Sequence, residues 1–367
     1  MKKNIIAIAV TTVILLIVNG LAWLSASAVD FYHLHIYCPM SRLMSRICGI
    51  VPFSVGEIMI GLGIGILIVY PILLIVSVIA KKRPLRRVST VVFCWILVFI
   101  LMTETLNCFV LYHTTELTTR LSVYKSPDIT TDEVVSLCAD MILRADALAP
   151  VIDRDEKGRP ALPADLRAEA ERSFSRMTDE FPELYGYCTP PKVLKSSMLM
   201  TQFNLQGIYF PFSLEGNYNG ELSPARVPCT TFHELCHVKG FIREDEANFL
   251  STVACMESDV PVIRYSGYIT SMNYLYGEAA RYASEEDIYM LRSLLTEQVA
   301  ADNTFVSEEY MRQVEEKAVV STEVMNEVSD TAIDTTLKVN GITDGSASYG
   351  RMVTLLVMYD GQMAYRE

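Results

Sequence analysis

Phe232-His233-Glu234-Leu235-Cys236-His237-Val238-Lys239-Gly240-Phe241-Ile242-Arg243-Glu244-Asp245-Glu246-Ala247-Asn248-Phe249 is the stretch on which the reading of this chain turns. Histidines four apart on a helix project from one face with Cβ atoms about 5–6 Å apart, close enough for two imidazoles to share one zinc ion. His233 and His237 have that spacing. Glu234 lies at the next position round the helix, where a carboxylate reaches a water on the metal without competing for the metal, which suits a general base. The bland alternative is a chance match on a solvated helix. Against it stands the distribution of the five histidines: His33, His35 and His113 lie in or near the apolar amino-terminal part, so the rest of the chain spends both of its histidines here.

A catalytic zinc takes three protein ligands and keeps one position open for water. Metzincins place a third histidine six residues after the second, and here that position is Arg243, which excludes the class. An acidic residue four before an amide puts the two on one helix face, the carboxylate as ligand and the amide as a group that orients a histidine. That spacing selects Glu244 with Asn248 behind it, and leaves Glu246 as the alternative ligand. The helix dipole alone favours acidic residues in a first turn, which by itself accounts for Asp245 and at least one of the glutamates.

These residues, HELCHVKGFIREDEANF, preceded by GIYFPFSLEGNYN and PFSVGE, resemble a bacterial family of multi-pass membrane proteins regarded as zinc metallopeptidases. The resemblance covers most of the chain. Its ExEAN element is similar to the ExxAD or ExEAN third-ligand helix of several gluzincin families, which supports Glu244. Cys236 departs mildly, standing where a small residue is common. The resemblance implies an enzyme class and names no substrate.

The remaining sequence says where such a site would sit. Hydrophobic residues make up 51% of the 367 and charged residues 20%, too apolar for an ordinary soluble globule. Three stretches, residues 5–29, 55–80 and 88–112, exceed the roughly 20 apolar residues that a spanning helix needs. Residues 1–113 carry nine basic and three acidic side chains, or +6, and residues 114–367 carry 22 and 40, or −18. The densest basic cluster, Lys81-Lys82-Arg83-Pro84-Leu85-Arg86-Arg87, separates the second run from the third, and Lys2-Lys3 precede the first. By the positive-inside rule both face the cytoplasm, which puts the acidic domain outside it. A second reading of the first run is a cleaved signal peptide ending at Ala26-Ser27-Ala28. The acidic balance of residues 114–367 excludes nucleic acid as a partner. The expected partners are a protein or peptide substrate and the lipid bilayer.

Nine cysteines show no CxxC pair, so they suggest neither a disulfide framework nor a cysteine zinc site, although Cys38 and Cys48 share one loop and could pair. Gly61 and Gly65, four apart in the second run, suggest close helix packing rather than a phosphate cradle. The patterning predicts helices from a cap at Thr130 over about 16 residues, then over 165–180, 231–239, 243–256, 267–282, 285–300 and 307–336. Short strands are expected between 193 and 212, with 214–227 as turn and loop. A loop is expected at 345–350; Tyr349 and Arg351, which follow Gly345 there, could stabilise an oxyanion but more commonly serve packing, and residues 352–358 form an apolar run fit to close the core.

The sequence therefore predicts an α+β, mostly helical fold: three transmembrane helices in 1–113, then an extracytoplasmic zincin-like (gluzincin) domain in 114–367. His233, His237 and Glu244 would hold one Zn2+, Glu234 would act as base, and the edge near residues 208–212 would pair with an extended substrate. Two other functions fit the same residues: a zinc-binding sensory or binding protein without turnover, and a zinc hydrolase of a non-peptide amide.

Overall fold

The computed structural model describes residues 2–123, 126–342 and 349–366, and these are mostly helical, 70% of them. The first helix, α1 (Lys2–Ala22), ends seven residues earlier than the apolar run suggests. The reason is Ser25, whose hydroxyl accepts from Ala28 N and so starts a new helix, α2 (Ala26–Tyr32). A π turn (His33–Tyr37) carries α2 into α3 (Cys38–Cys48). Next come α4 (Val55–Ile79), capped by Ser54, and α5 (Arg83–Glu104), which continues through Thr105–Phe109 and Val110–His113 to α6 (Leu117–Leu121). Lys2–Ala22, Val55–Ile79 and Arg83–Leu121 are each long and apolar enough to cross a membrane. The third, at 39 residues, runs about 58 Å, longer than a hydrocarbon core of about 30 Å, so part of it would stand clear of a bilayer it crossed.

Two expectations for this part fail. Cys38 and Cys48 stand at the two ends of α3 and both are free; helical rise sets them about 15 Å apart, beyond any disulfide. Gly61 and Gly65 face open space where a Cβ would sit, so they do not mediate close packing of the described helices.

Beyond α6, helix α7 (Thr131–Leu148) opens on a complete capping box between Thr130 and Glu133. Asp165 caps α8 (Leu166–Arg176), shorter than its pattern suggests. The small sheet follows: β1 (Lys192–Leu194), helix α9 (Ser197–Gln202), β2 (Gly207–Phe210) and β3 (Glu215–Asn219). Its order is β1-β3-β2, with β1 parallel and β2 antiparallel to the central strand. Then come α10 (Val227–Val238), α11 (Glu244–Met256), α12 (Pro261–Tyr282), α13 (Glu285–Leu294, with a Ser284–Asp287 capping box), α14 (Glu297–Asp302), α15 (Glu308–Lys317), α16 (Thr322–Val339) and α17 (Tyr349–Arg366). The predicted helices 285–300 and 307–336 are each broken in two, at 295–296 and 318–321. The residues 345–348 of the predicted loop lie outside the described residues.

The core lies where α7, α10, α11, α12 and α17 meet, with Phe249, Val253, Ile263, Leu275 and Met352 fully buried. The apolar run 352–358 closes it as expected. The sequence reading placed Glu215-Gly216-Asn217-Tyr218-Asn219 in a turn, whereas it is the central strand. Glu215, Asn217 and Asn219 are buried there, and Glu215 takes Lys192 Nζ, Gly56 N (2.9 Å) and Ser213 Oγ (2.8 Å) while Asn219 donates to Thr201 Oγ1 (2.8 Å). Tertiary pairing outweighs turn propensity here. Lys192 Nζ also donates to Cys48 O (2.8 Å), so this buried ion pair ties the sheet to the connection between α3 and α4.

Removing one partner of a buried ion pair leaves an uncompensated charge, at a cost of about 3–5 kcal/mol. Lys192→Met should therefore lower the unfolding midpoint in detergent by many degrees. The exposed neighbour Lys195 provides the control: Lys195→Met should stay within about 0.5 kcal/mol of the parent. Equal midpoints for the two variants would show that the pair does not anchor the sheet.

Candidate metal centre

Pro228 in the first turn fits the start of α10, where its missing N–H costs nothing. The helix ends in a Schellman turn, with Gly240 N on His237 O (2.9 Å) and Phe241 N on Cys236 O (3.1 Å). Gly240 holds φ +100, and a Cβ there would lie 2.2 Å from His33 Nε2, so only glycine fits. The turn sends the chain straight back, and α11 begins at Glu244 beside the helix it has just left.

This reversal brings three predicted residues together. Glu244 Oε2 lies 3.3 Å from His233 Nε2, and Oε1 lies 3.6 Å from His237 Nε2. The donor atoms of His233, His237 and Glu244 all fall within 4.8 Å of one another. Zinc–ligand bonds of about 2.0–2.2 Å in a tetrahedron separate donors by about 3.3 Å, so both nitrogen–oxygen distances are close to what one zinc requires. His237 Nδ1 lies 2.7 Å from Phe241 O. A carbonyl accepts only, so the proton belongs on Nδ1, which leaves the Nε2 lone pair facing Glu244.

Electrostatics separate the carboxylates. Burial works to lower the His233 imidazole, but the Glu244 hydrogen bond and charge, helped by Glu234, outweigh it and raise the group to about 9. For Glu244 burial works upward and is overcome by His237 and His233, which hold the carboxyl well below its usual range. Its side chain is still 35% exposed, so water tempers that pairing. The cluster thus suits a cation: two nitrogens and a charged oxygen converge with a path to solvent.

Glu234, one residue along, is 5% exposed, and its Oε2 is buried with no hydrogen-bond partner among the described residues. Burial raises its carboxyl to about 7, with His233 and His237 pulling it down. The β2–β3 hairpin lies against it: a Cβ at Gly207 would come 2.3 Å from Glu234 Oε1, and one at Gly216 3.0 Å from Glu234 Cβ. Two glycines let the hairpin close over the carboxylate.

The other candidates are placed elsewhere. Glu246 turns away from the cluster, accepting from Leu117 N (2.9 Å) and Arg243 (3.2 Å). Asn248, expected to orient a histidine, makes no such hydrogen bond among the described residues. Arg351 binds Asp245 Oδ2 (2.7 Å), and the side chain of Tyr349 lies outside the described residues. Residues that spacing did not reveal surround the centre from the amino-terminal part. His33 Nε2 donates to Lys239 O (2.7 Å), Ser41 Oγ to Val238 O (2.5 Å) and Tyr37 Oη to Val238 O (3.2 Å). Tyr209 packs its ring 6.0 Å from that of His237, with its hydroxyl spent on Tyr37 Oη (3.0 Å) and Asn107 O (3.2 Å). In sequence His33, Tyr37 and Ser41 lie about 200 residues from the motif and Tyr209 lies on a separate strand, and no local pattern links any of them to it.

No curated protein and no solved structure matches the chain. Residues 32–357, which take in the π turn, α3, the sheet and the whole donor cluster, match a family, and the chain belongs to that family, described as "Protein of unknown function (DUF3810)".

Proposed function

We propose that the protein is a membrane-anchored zinc metallopeptidase of gluzincin type, its zincin-like site held by His233, His237 and Glu244 and facing away from the cytoplasm. The observation that carries this reading is Glu234, a buried carboxylate with an oxygen free of partners, set beside a three-donor cluster. A purely structural metal site needs no such group. The positive cluster between α4 and α5 supports the orientation.

A zinc ion bound there would supply Lewis acidity, which polarises a peptide carbonyl and makes a water acidic enough to ionise near neutral pH. The chain's own residues do the rest. Glu234 takes the proton from the attacking water and hands it to the leaving amine, a transfer suited to a carboxyl raised by burial toward neutrality. Phe241 O fixes the His237 ring and its tautomer. Gly207 and Gly216 hold the hairpin over Glu234 and limit its access to bulk water. Strand β2 pairs with β3 alone, so its other edge offers backbone groups to an extended substrate.

The purified full chain should bind about one zinc, and His233→Ala or His237→Ala should lose most of it. Glu244→Gln should weaken binding, since an amide oxygen is the poorer ligand, while Glu246→Gln should keep the metal and lose stability. Metal analysis decides it: full zinc in both histidine variants removes the site, and zinc lost from Glu246→Gln but not Glu244→Gln moves the third ligand.

Glu234→Gln should keep zinc and fold while turnover falls about 10²- to 10⁴-fold. Gly207→Ala, which crowds the same carboxylate, should act in the same direction with the metal retained. Proteomics of membrane fractions from parent and variant strains reads both. Unchanged cleavage in Glu234→Gln would sink the peptidase reading, and a phenotype that survives it would favour a binding or sensory role.

A further inference from the structure

Residues 26–48, which join the first two apolar helices, have two unlike faces. Val29, His33, Tyr37, Ser41, Ser45 and Cys48 are buried, and among them His33, Tyr37 and Ser41 meet the end of α10. The opposite face is apolar and open: Phe31 is 61% exposed, Leu43 60% and Ile50, just beyond, 80%, with Ile36 and Ile47 between. A soluble surface rarely leaves such a stripe uncovered.

The direction of this segment follows from its ends. Trp23, after α1, packs its ring 4.3 Å from His113. Gly56, at the start of α4, lies against Phe210, next to Pro211, whose carbonyl takes Asn107 Nδ2 (2.7 Å). The two ends are therefore level with residues 113 and 107 of the third apolar helix, about 9 Å apart along its axis. Between them residues 26–48, 23 in number, run about 35 Å as helix. A segment that long between levels that close runs across the spanning helices, parallel to a bilayer surface.

Its charge fits the same place. From residue 24 to 54 the only acidic side chain is Asp30, and both its oxygens are taken by Thr115 N (2.9 Å) and Oγ1 (2.6 Å). Arg42 and Arg46 lie over the rings of Tyr185 and Tyr187, an amphipathic rim of the kind found at lipid headgroups. A cavity of about 510 Å³ beside it, lined by His35, Arg42 and Tyr185 among others, has room for a phosphate-bearing headgroup.

We propose that residues 26–48 form an in-plane helix seated in the headgroup region of an anionic phospholipid leaflet, and that by capping α10 this helix holds the donor cluster at the membrane surface. Apolar side chains facing the acyl boundary with basic residues at the rim are the composition that binds there. Combined with the peptidase reading, on which this consequence alone rests, the substrates are chain segments lying close to the bilayer.

The test reads position and needs no turnover, so it stands apart from the peptidase assay. In the full chain, with Trp23→Phe and Trp95→Phe as background, Leu43→Trp gives a single reporter, and Val151→Trp, on an exposed loop, gives the control. In vesicles of phosphatidylglycerol brominated near the headgroup, the reporter at 43 should be quenched at least twofold and the one at 151 left unchanged. Brominated phosphatidylcholine should quench the reporter at 43 less, and Arg42→Glu with Arg46→Glu should abolish that preference while zinc content stays unchanged. Equal behaviour of the reporters at 43 and 151 would overturn the seat, and equal quenching by both lipids would overturn its anionic character.

Discussion

The last carbonyls of a buried helix must be paired, and at the end of α10 that demand joins the two halves of the molecule. A helix leaves its last four carbonyls without internal partners, and a buried one without partners costs about 1–3 kcal/mol. His237 O is met by the Schellman turn, while Val238 O and Lys239 O are met by Ser41, Tyr37 and His33. Those donors come from the segment between the first two apolar helices. The helix that carries both histidines is therefore finished by residues from the apolar amino-terminal part, which makes that part a component of the candidate site.

The geometry of the donor cluster follows from the same turn. Gly240 reverses the chain, Phe241 O then lies within reach of His237 Nδ1, and Glu244 arrives opposite both Nε2 atoms as the first residue of α11. One positive-φ glycine thus sets the tautomer of one candidate donor and the position of another. A second tie acts from the third apolar helix, where Leu117 N is held by Glu246 Oε1 (2.9 Å), two residues after the third donor. Movement of that helix would be felt directly at the start of α11.

What the sequence disclosed was what local rules govern. The i, i+4 histidines, the capping boxes at Thr130 and Ser284 and the apolar runs depend on neighbours a few residues away, and the structure reproduces them. Glu215–Asn219 could not be read that way, because its strand conformation rests on Lys192, Gly56 and Thr201 from three other segments. The same holds for His33, Tyr37 and Tyr209, whose part in the site depends on contacts across 100 to 200 residues. Breaks at Trp23–Leu24 and at 318–321 were hidden by continuing periodicity, and only the serine caps that restart the helices, Ser25 and Ser321, mark them.

Three glutamates within thirteen residues show how surroundings divide roles that composition alone leaves equal. Glu244 faces two imidazoles and is held ionised, the state a metal ligand needs. Glu246 is pushed upward by burial like Glu234, yet a backbone amide and a guanidinium occupy it, so it serves as a strut. Of the three, Glu234 alone combines a carboxyl raised by burial with an oxygen that no described residue satisfies. Leaving a buried carboxylate oxygen unpaired costs stability, and the cost is reinforced by two glycines that bring the hairpin down upon it. A fold that needed only a metal staple could place leucine there at a gain. An acid without a partner among the described residues, one residue from a candidate donor histidine, is what supports the proposal of chemistry at this site.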